Sequence, residues 1–128
     1  MRYYSFERTL NRHTSYLRIS YLIPKIMKEL FNNLKNKAFD NQVRLGIMSM
    51  LMVNDAVDFS TFKEMLELSD GNLSSHLSFL ENEKYISVNK QFVGKRPKSS
   101  YAATAIGKNA FSDYLNALDK LIKQTKPE

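Results

Sequence analysis

Leu66-Glu67-Leu68-Ser69-Asp70-Gly71-Asn72-Leu73-Ser74-Ser75-His76-Leu77-Ser78-Phe79-Leu80 is the stretch on which the reading of the whole chain depends. Leu73, Leu77 and Leu80 recur at helical spacing and make one apolar stripe that needs a core to cover it. Between them stand Asn72, Ser74, Ser75, His76 and Ser78, which are short, polar and mostly uncharged. A helix built only to face solvent favours Glu, Lys and Ala, because Ser and Asn are mediocre helix formers. Small hydrogen-bonding groups on a protruding face suit close approach to a surface of donors and acceptors. The base edges of a DNA major groove are such a surface. The stretch reads as a recognition helix, entered through a turn at Ser69-Asp70-Gly71.

Working upstream, Phe62, Met65 and Leu66 make the inward face of a short helix. Ser60 or Thr61 is placed to cap it, with Thr61 and Glu64 at capping-box spacing. Two helices joined by three or four residues including Gly form a helix-turn-helix. Val57-Asp58-Phe59 is a short strand candidate before this pair. A longer helix is expected from about Asp40 to Asn54, capped by Asp40 or Asn41. Its Val43, Ile47, Met48, Met50, Leu51 and Met52 cover more than one face, which marks a central helix. Gly46 inside it costs roughly 1 kcal/mol relative to Ala, and close approach of another helix would justify it.

Downstream of Glu83-Lys84 the period changes from helical to alternating. Tyr85-Ile86-Ser87-Val88-Asn89 reads as one strand and Ser99-Ser100-Tyr101-Ala102-Ala103 as its return. Between them Phe92-Val93-Gly94-Lys95-Arg96-Pro97-Lys98 makes a basic hairpin tip. Thr104 can cap a last helix with the stripe Phe111, Tyr114, Leu115, Leu118, Leu121 and Ile122. That stripe is core or dimer interface, and the interface is the expectation, since it outruns a domain this small. The fold class is mainly α with a small antiparallel hairpin, a winged helix-turn-helix with additional N- and C-terminal helices.

The charge of +6 on the 128 residues is unevenly placed. Residues 1–38 hold eight basic residues against Glu7 and Glu29, whereas the remainder balances. Within that balanced part, Lys84 to Lys108 holds six basic residues and no acidic one, which calls for an anionic partner there. Residues 1–23 follow no clear period and read as a poorly defined basic segment, either a loosely held tail or an arm on nucleic acid. Met27 offers a second possible start of the chain. Residues 24–38 read as an amphipathic helix that starts at Pro24 and carries Ile26, Met27, Leu30, Phe31 and Leu34 on one stripe. Residues 39–125 then hold the winged domain and its C-terminal dimerisation helix. No Cys is present, so disulfides and thiolate metal sites are excluded. His13 and His76 alone make no metal site, and no cofactor is expected. No signal peptide or membrane span is evident, and a cytoplasmic protein is the default.

Four separated segments resemble the ArsR/MarR-like bacterial regulators, in the right order over about residues 39–123. Asp40-x-x-x-Arg44-Leu45-x-Ile47 resembles their opening, and residues 68–80 their recognition segment. Phe92 to Pro97 resembles the wing, and Tyr101-x-x-Thr104-x-x-Gly107 the entry to the last helix. The resemblance implies a small stand-alone winged-helix regulator that controls transcription as a homodimer on double-stranded DNA. It places Asn72, Ser74, Ser75 and His76 towards bases or phosphates, and Lys95, Arg96 and Lys98 on the wing. Ser78 joins them as the next outward polar residue of the helix. The chemistry agrees: Asn bonds adenine bidentately, Ser donates or accepts, and Arg gains from the potential of a narrow minor groove. His76 as a surface histidine bonded to a neighbour, and the basic tip as an ordinary solvated hairpin, are the plainer alternatives. The alternative function is a winged-helix module for protein–protein contact or RNA. No paired carboxylates, nucleophile triad or Gly-rich phosphate loop stands in the sequence, so an enzyme is not expected. The operator, any effector and the sign of regulation are not written in the residues.

Overall fold

The computed structural model describes residues 23–125, with side chains from Pro24 to Gln124. The expectations for residues 1–22, including a basic arm and His13, lie outside the described residues. By their packing the described residues divide into two units, one spanning Asn36–Ser112 and the other combining residues 23–35 with residues 113–125.

The winged unit opens on a 3-10 turn, Lys37–Phe39, which Asn36 caps by accepting the Ala38 N–H. Helix α2, Gln42–Val53, follows and is capped by Asn41, whose side chain accepts from Val43 and Arg44. Here α1 denotes the preceding helix Ile23–Leu34 of the other unit. Ile47, Met48 and Leu51 of α2 are buried, which gives the central helix expected from its breadth of apolar residues. Strand β1, Val57–Asp58, runs directly into α3, Phe59–Leu66. The recognition segment is α4, Asp70–Asn82. Strands β2, Ile86–Val93, and β3, Arg96–Ala103, form the hairpin, and α5, Ala105–Thr125, closes the chain. The sheet is antiparallel throughout in the order β1-β3-β2. Val57 faces Tyr101, and the hairpin register runs from Ile86 opposite Ala103 to Val93 opposite Arg96.

Four local expectations are corrected. Asp58, not Ser60 or Thr61, caps α3: its Oδ1 accepts the Thr61 N–H at 2.9 Å. The strand leads into the helix with no intervening residue, so its last member does both tasks. Met65 does not face inward but is 67% exposed, because a helix this short gives the core only Phe62 and part of Leu66. Gly71 is not the turn residue. Ser69 already caps α4, and the turn is made at Glu67, which adopts φ 53° and ψ 54°. The Leu68 N–H then reaches back to the Lys63 carbonyl, a Schellman ending built on a non-glycine residue. The hairpin strands, finally, run further towards the tip than their alternation indicated, by four residues in β2 and three in β3. A two-residue loop, Gly94-Lys95, joins them, with Gly94 alone at positive φ (66°), the pattern of a type II′ turn. Pro97 is tolerated in the middle strand because β1 pairs only as far as Ser100.

The core of the winged unit sits between α2, α3, α4 and the sheet. Phe62, Leu73, Leu77, Leu80 and Ile86 are all buried there, and Phe62 meets Tyr101 with ring centroids 6.1 Å apart. Gly46 has the reason its position demanded: a Cβ there would stand 3.0 Å from Leu66 Cδ2 of α3. A second junction fixes the wing to the helices. Thr104 caps α5 by accepting the Gly107 N–H at 3.0 Å, and its hydroxyl donates to the Lys84 carbonyl at 2.6 Å. Its own N–H donates to the Tyr85 carbonyl. Gly107 passes so close to that carbonyl that a Cβ would overlap it at 2.1 Å. Tyr85 in turn stacks on Phe39, and Phe39 meets Phe111 edge-on.

In the other unit, α1 buries Leu30, and the later part of α5 buries Ala117. Phe31 stays 62% exposed with Lys35 Nζ over its ring at 5.3 Å, and Leu115 is 42% exposed. The helix begins at Ile23, one residue before the Pro24 start expected from sequence. Among the described residues, no helix is long and apolar enough to cross a membrane.

Candidate nucleic-acid interface

Helix α4 is held by one side only. Leu73, Leu77 and Leu80 anchor it, while Ser69 Oγ accepts the Asn72 N–H and fixes its first turn. Its C-terminus is closed by a second Schellman ending, in which Lys84 takes φ 66° and the Tyr85 N–H bonds the Leu80 carbonyl. Both ends are therefore pinned by bonds within the unit. What remains outward is Gly71, Asn72, Ser74, Ser75 and Ser78, all exposed. No side-chain hydrogen bond within the described residues engages Asn72, Ser74, Ser75 or Ser78. Gly71 was not singled out from sequence as part of this face. With nothing within 4 Å of its missing Cβ, it makes the start of the ridge low and open.

The ridge is also nearly free of charge. From Asp70 to Asn82 the only ionisable residues besides His76 are Asp70 and Glu81, and Lys63 of α3 pairs with Asp70 at 2.8 Å. No Lys or Arg lies on this helix, so cations for phosphates have to come from elsewhere in the fold.

His76 is placed differently from its neighbours. It is half-buried, with Nδ1 3.0 Å from Arg44 Nη1 on α2. Arg44 also donates from Nε to the Ala38 carbonyl and from Nη2 to the Lys37 carbonyl. Its guanidinium carbon lies 4.3 Å from the centroid of Phe79. Burial first, and the Arg44 charge second, push the His76 pKa below its ordinary value. This clamp, spanning 32 residues, leaves no periodic trace in the sequence.

The hairpin has the opposite character. Lys90, Lys95 and Arg96 are exposed, and no side-chain bond or ion pair within the described residues engages them. Lys98 is exposed too, but it reaches Asp58 Oδ2 at 3.3 Å. Hydrogen bonding from Thr61, more than this lysine, holds Asp58 down at about 2. Phe92 and Val93 stand exposed at the tip, an apolar element among the cations. An open groove of about 450 Å³ lies under the hairpin, lined by Met50, Asn54, Asp58, Gln91, Val93 and Lys98 among others. Among the described residues no cluster of His, Asp and Glu could hold a metal ion.

Residues 43–122 match the family model of a winged helix DNA-binding domain. An uncharacterized protein of Methanocaldococcus jannaschii is 33% identical over 87 residues, covering 68% of this chain and 95% of that protein. The structure of a transcriptional regulator homologue from Pyrococcus horikoshii is similar with a TM-score of 0.67 at 30% identity, covering 77% of this chain and 95% of the other. A MarR-family transcriptional regulator of Porphyromonas gingivalis shares the fold, with a TM-score of 0.53 at 19% identity over 68% of this chain and 80% of its own. The chain thus shares its fold with ArsR- and MarR-type regulators. The chain belongs to the winged helix DNA-binding domain family.

Proposed function

We propose that the protein is a DNA-binding transcriptional regulator that inserts α4 into the major groove and lays its basic hairpin on the minor groove or the flanking phosphates. One observation carries this reading. The outward side of α4 is a ridge of unengaged amide and hydroxyl groups, with its charge confined to the two ends. Such a face lacks the apolar area a membrane would take, and it matches base edges in size and in donors and acceptors. The division of charge supports the same reading. Phosphate contacts fix position and supply affinity, whereas base contacts carry sequence preference. Here Lys90, Lys95 and Arg96 of the hairpin serve the first task and Asn72, Ser74, Ser75 and Ser78 the second. Lys98 serves the wing chiefly through Asp58, which ties β3 to the start of α3.

The protein works as a cytoplasmic homodimer through its terminal helices. The exposed Phe31 and Leu115 of the second unit supply apolar surface for that contact. A two-fold dimer would set two copies of α4 about one DNA turn, roughly 34 Å, apart on a palindromic site.

The test is gel-shift on random duplexes and on single-stranded RNA at graded salt, followed by selection of a preferred duplex. Binding to duplex with a steep salt slope and enrichment of one palindrome is the expected result. Preference for RNA, or binding to neither, would overturn the reading. Sedimentation at micromolar concentration should give a dimer, and a monomer would contradict the assembly.

A further inference from the structure

His76 differs from Asn72, Ser74, Ser75 and Ser78 of α4 in that its side chain is engaged from another helix. A guanidinium has five N–H donors and no acceptor. The 3.0 Å contact therefore runs from Arg44 to His76, and Nδ1 has to offer its lone pair. An imidazole that accepts at Nδ1 carries its proton on Nε2. Half-burial and the neighbouring guanidinium both oppose a second proton on the ring.

Arg44 has little freedom to do otherwise. Nε is bonded to the Ala38 carbonyl at 2.8 Å and Nη2 to the Lys37 carbonyl at 2.9 Å. The Phe79 ring beneath it fixes the plane of the fork. Nε2 of His76, by contrast, is unbonded within the described residues. No buried side-chain nitrogen or oxygen among them lacks a partner, so Nε2 is not fully buried. It stands one helical turn beyond Asn72 on the same row of α4.

We propose that Arg44 is a positioning residue that holds His76 in its neutral Nε2–H form, and that this N–H donates to an acceptor on a major-groove base edge. The inference rests on α4 being the recognition helix. A purine N7, a guanine O6 or a thymine O4 would serve as the acceptor, whereas an amino group at that place would face the donor with another donor. A neutral ring reads an acceptor without adding a cation that attracts every phosphate alike.

The experiment uses the full chain and the duplex it selects from a random pool. Nitrogen-15 NMR of the imidazoles at neutral pH, with His13→Gln to assign the signals, should find His76 protonated at Nε2 and not at Nδ1. Arg44→Lys should give a mixture of tautomers. In competition binding, His76→Leu should lose about fivefold in preference for the selected duplex over random DNA, as one neutral hydrogen bond would give. Binding to random DNA should fall by less than binding to the selected duplex. His76→Gln, whose amide nitrogen replaces Nε2, should keep most of the preference. A wild-type ring that is cationic or protonated at Nδ1 would overturn the proposal whatever the variants do. So would a His76→Leu chain that selects as the wild type does, with the DNA reading left standing. Methylphosphonates placed one at a time decide the source of the acceptor. If one of them weakens the wild type but not His76→Leu, the acceptor is a phosphate and the base assignment fails. A wild-type chain that selects no duplex would overturn this inference and the DNA reading together.

Discussion

Helix α4 and the β2–β3 hairpin are built from opposite materials on one small unit. The helix has no Lys or Arg, is anchored by three buried leucines and presents amide and hydroxyl groups. The hairpin buries Ile86 at its base, carries Lys90, Lys95, Arg96 and Lys98, and has no acidic residue. A short neutral side chain gains from an acceptor only when its position is fixed, so it belongs on a helix pinned at both ends. A cation acts over a Debye length, about 8 Å at physiological salt, and tolerates a looser perch. Rigidity and charge are therefore separated, and the two regions should fail in different ways.

The largest effect should come from joining the failures. Gly107→Ala puts a Cβ into the Tyr85 carbonyl, where helix, wing and α5 meet. Backbone has to move, and a loss of about 3 kcal/mol in stability is expected, at the upper end for overpacking. Chemical denaturation should show it, and selective and random DNA binding should decline together. Next in size is the helix alone. Asn72→Ala and Ser75→Ala should each weaken binding to the preferred site by about 1–3 kcal/mol, with little change on random DNA in competition assays. Wing substitutions should act evenly instead. Lys95→Ala or Arg96→Ala should weaken all duplexes and lower the salt slope by about one unit. Lys98→Ala should lower it by less, since that amine is already engaged by Asp58.

The smallest effect concerns acid. His76 is held neutral in the fold, with its pKa below the ordinary 6.5 of the unfolded chain. A proton bound more tightly by the unfolded chain stabilises unfolding, so this contribution to stability is complete above about pH 6.5. It is lost as pH falls from there through the folded value. Asp58, held at about 2, stays ionised over most of that range and does not share in the loss. Thermal unfolding of wild type and His76→Gln should therefore run parallel above about pH 6.5, and the wild type should lose stability relative to the variant only as pH falls below it.

The sequence revealed the core side of this architecture more clearly than its joints. Leucines at helical spacing and the alternation near Ile86 are signatures of burial, which leaves a period. Gly46 was also legible, because a helix interior tolerates Gly only for a reason. The turn at Glu67 was not: a left-handed residue is expected to be Gly, and the Gly in reach, Gly71, stands four places too late. The hairpin tip lost its alternation because both of its faces are exposed from Asn89 to Lys98. The outward face of α4 could be read because its residue types were wrong for solvent. Its link to Arg44 could not, since side chains 32 residues apart meet only after the fold has formed.

The contrast between helix and hairpin comes down to one comparison of two double variants. Asn72→Ala with Ser75→Ala, and Lys95→Ala with Arg96→Ala, should be titrated against the selected duplex and random duplexes from low to high salt. The first pair should lose preference for the selected duplex while its salt slope stays unchanged. The second pair should keep its preference while its salt slope falls by about two. If both pairs lose affinity equally on selected and random DNA, α4 does not read sequence and the division of labour is wrong.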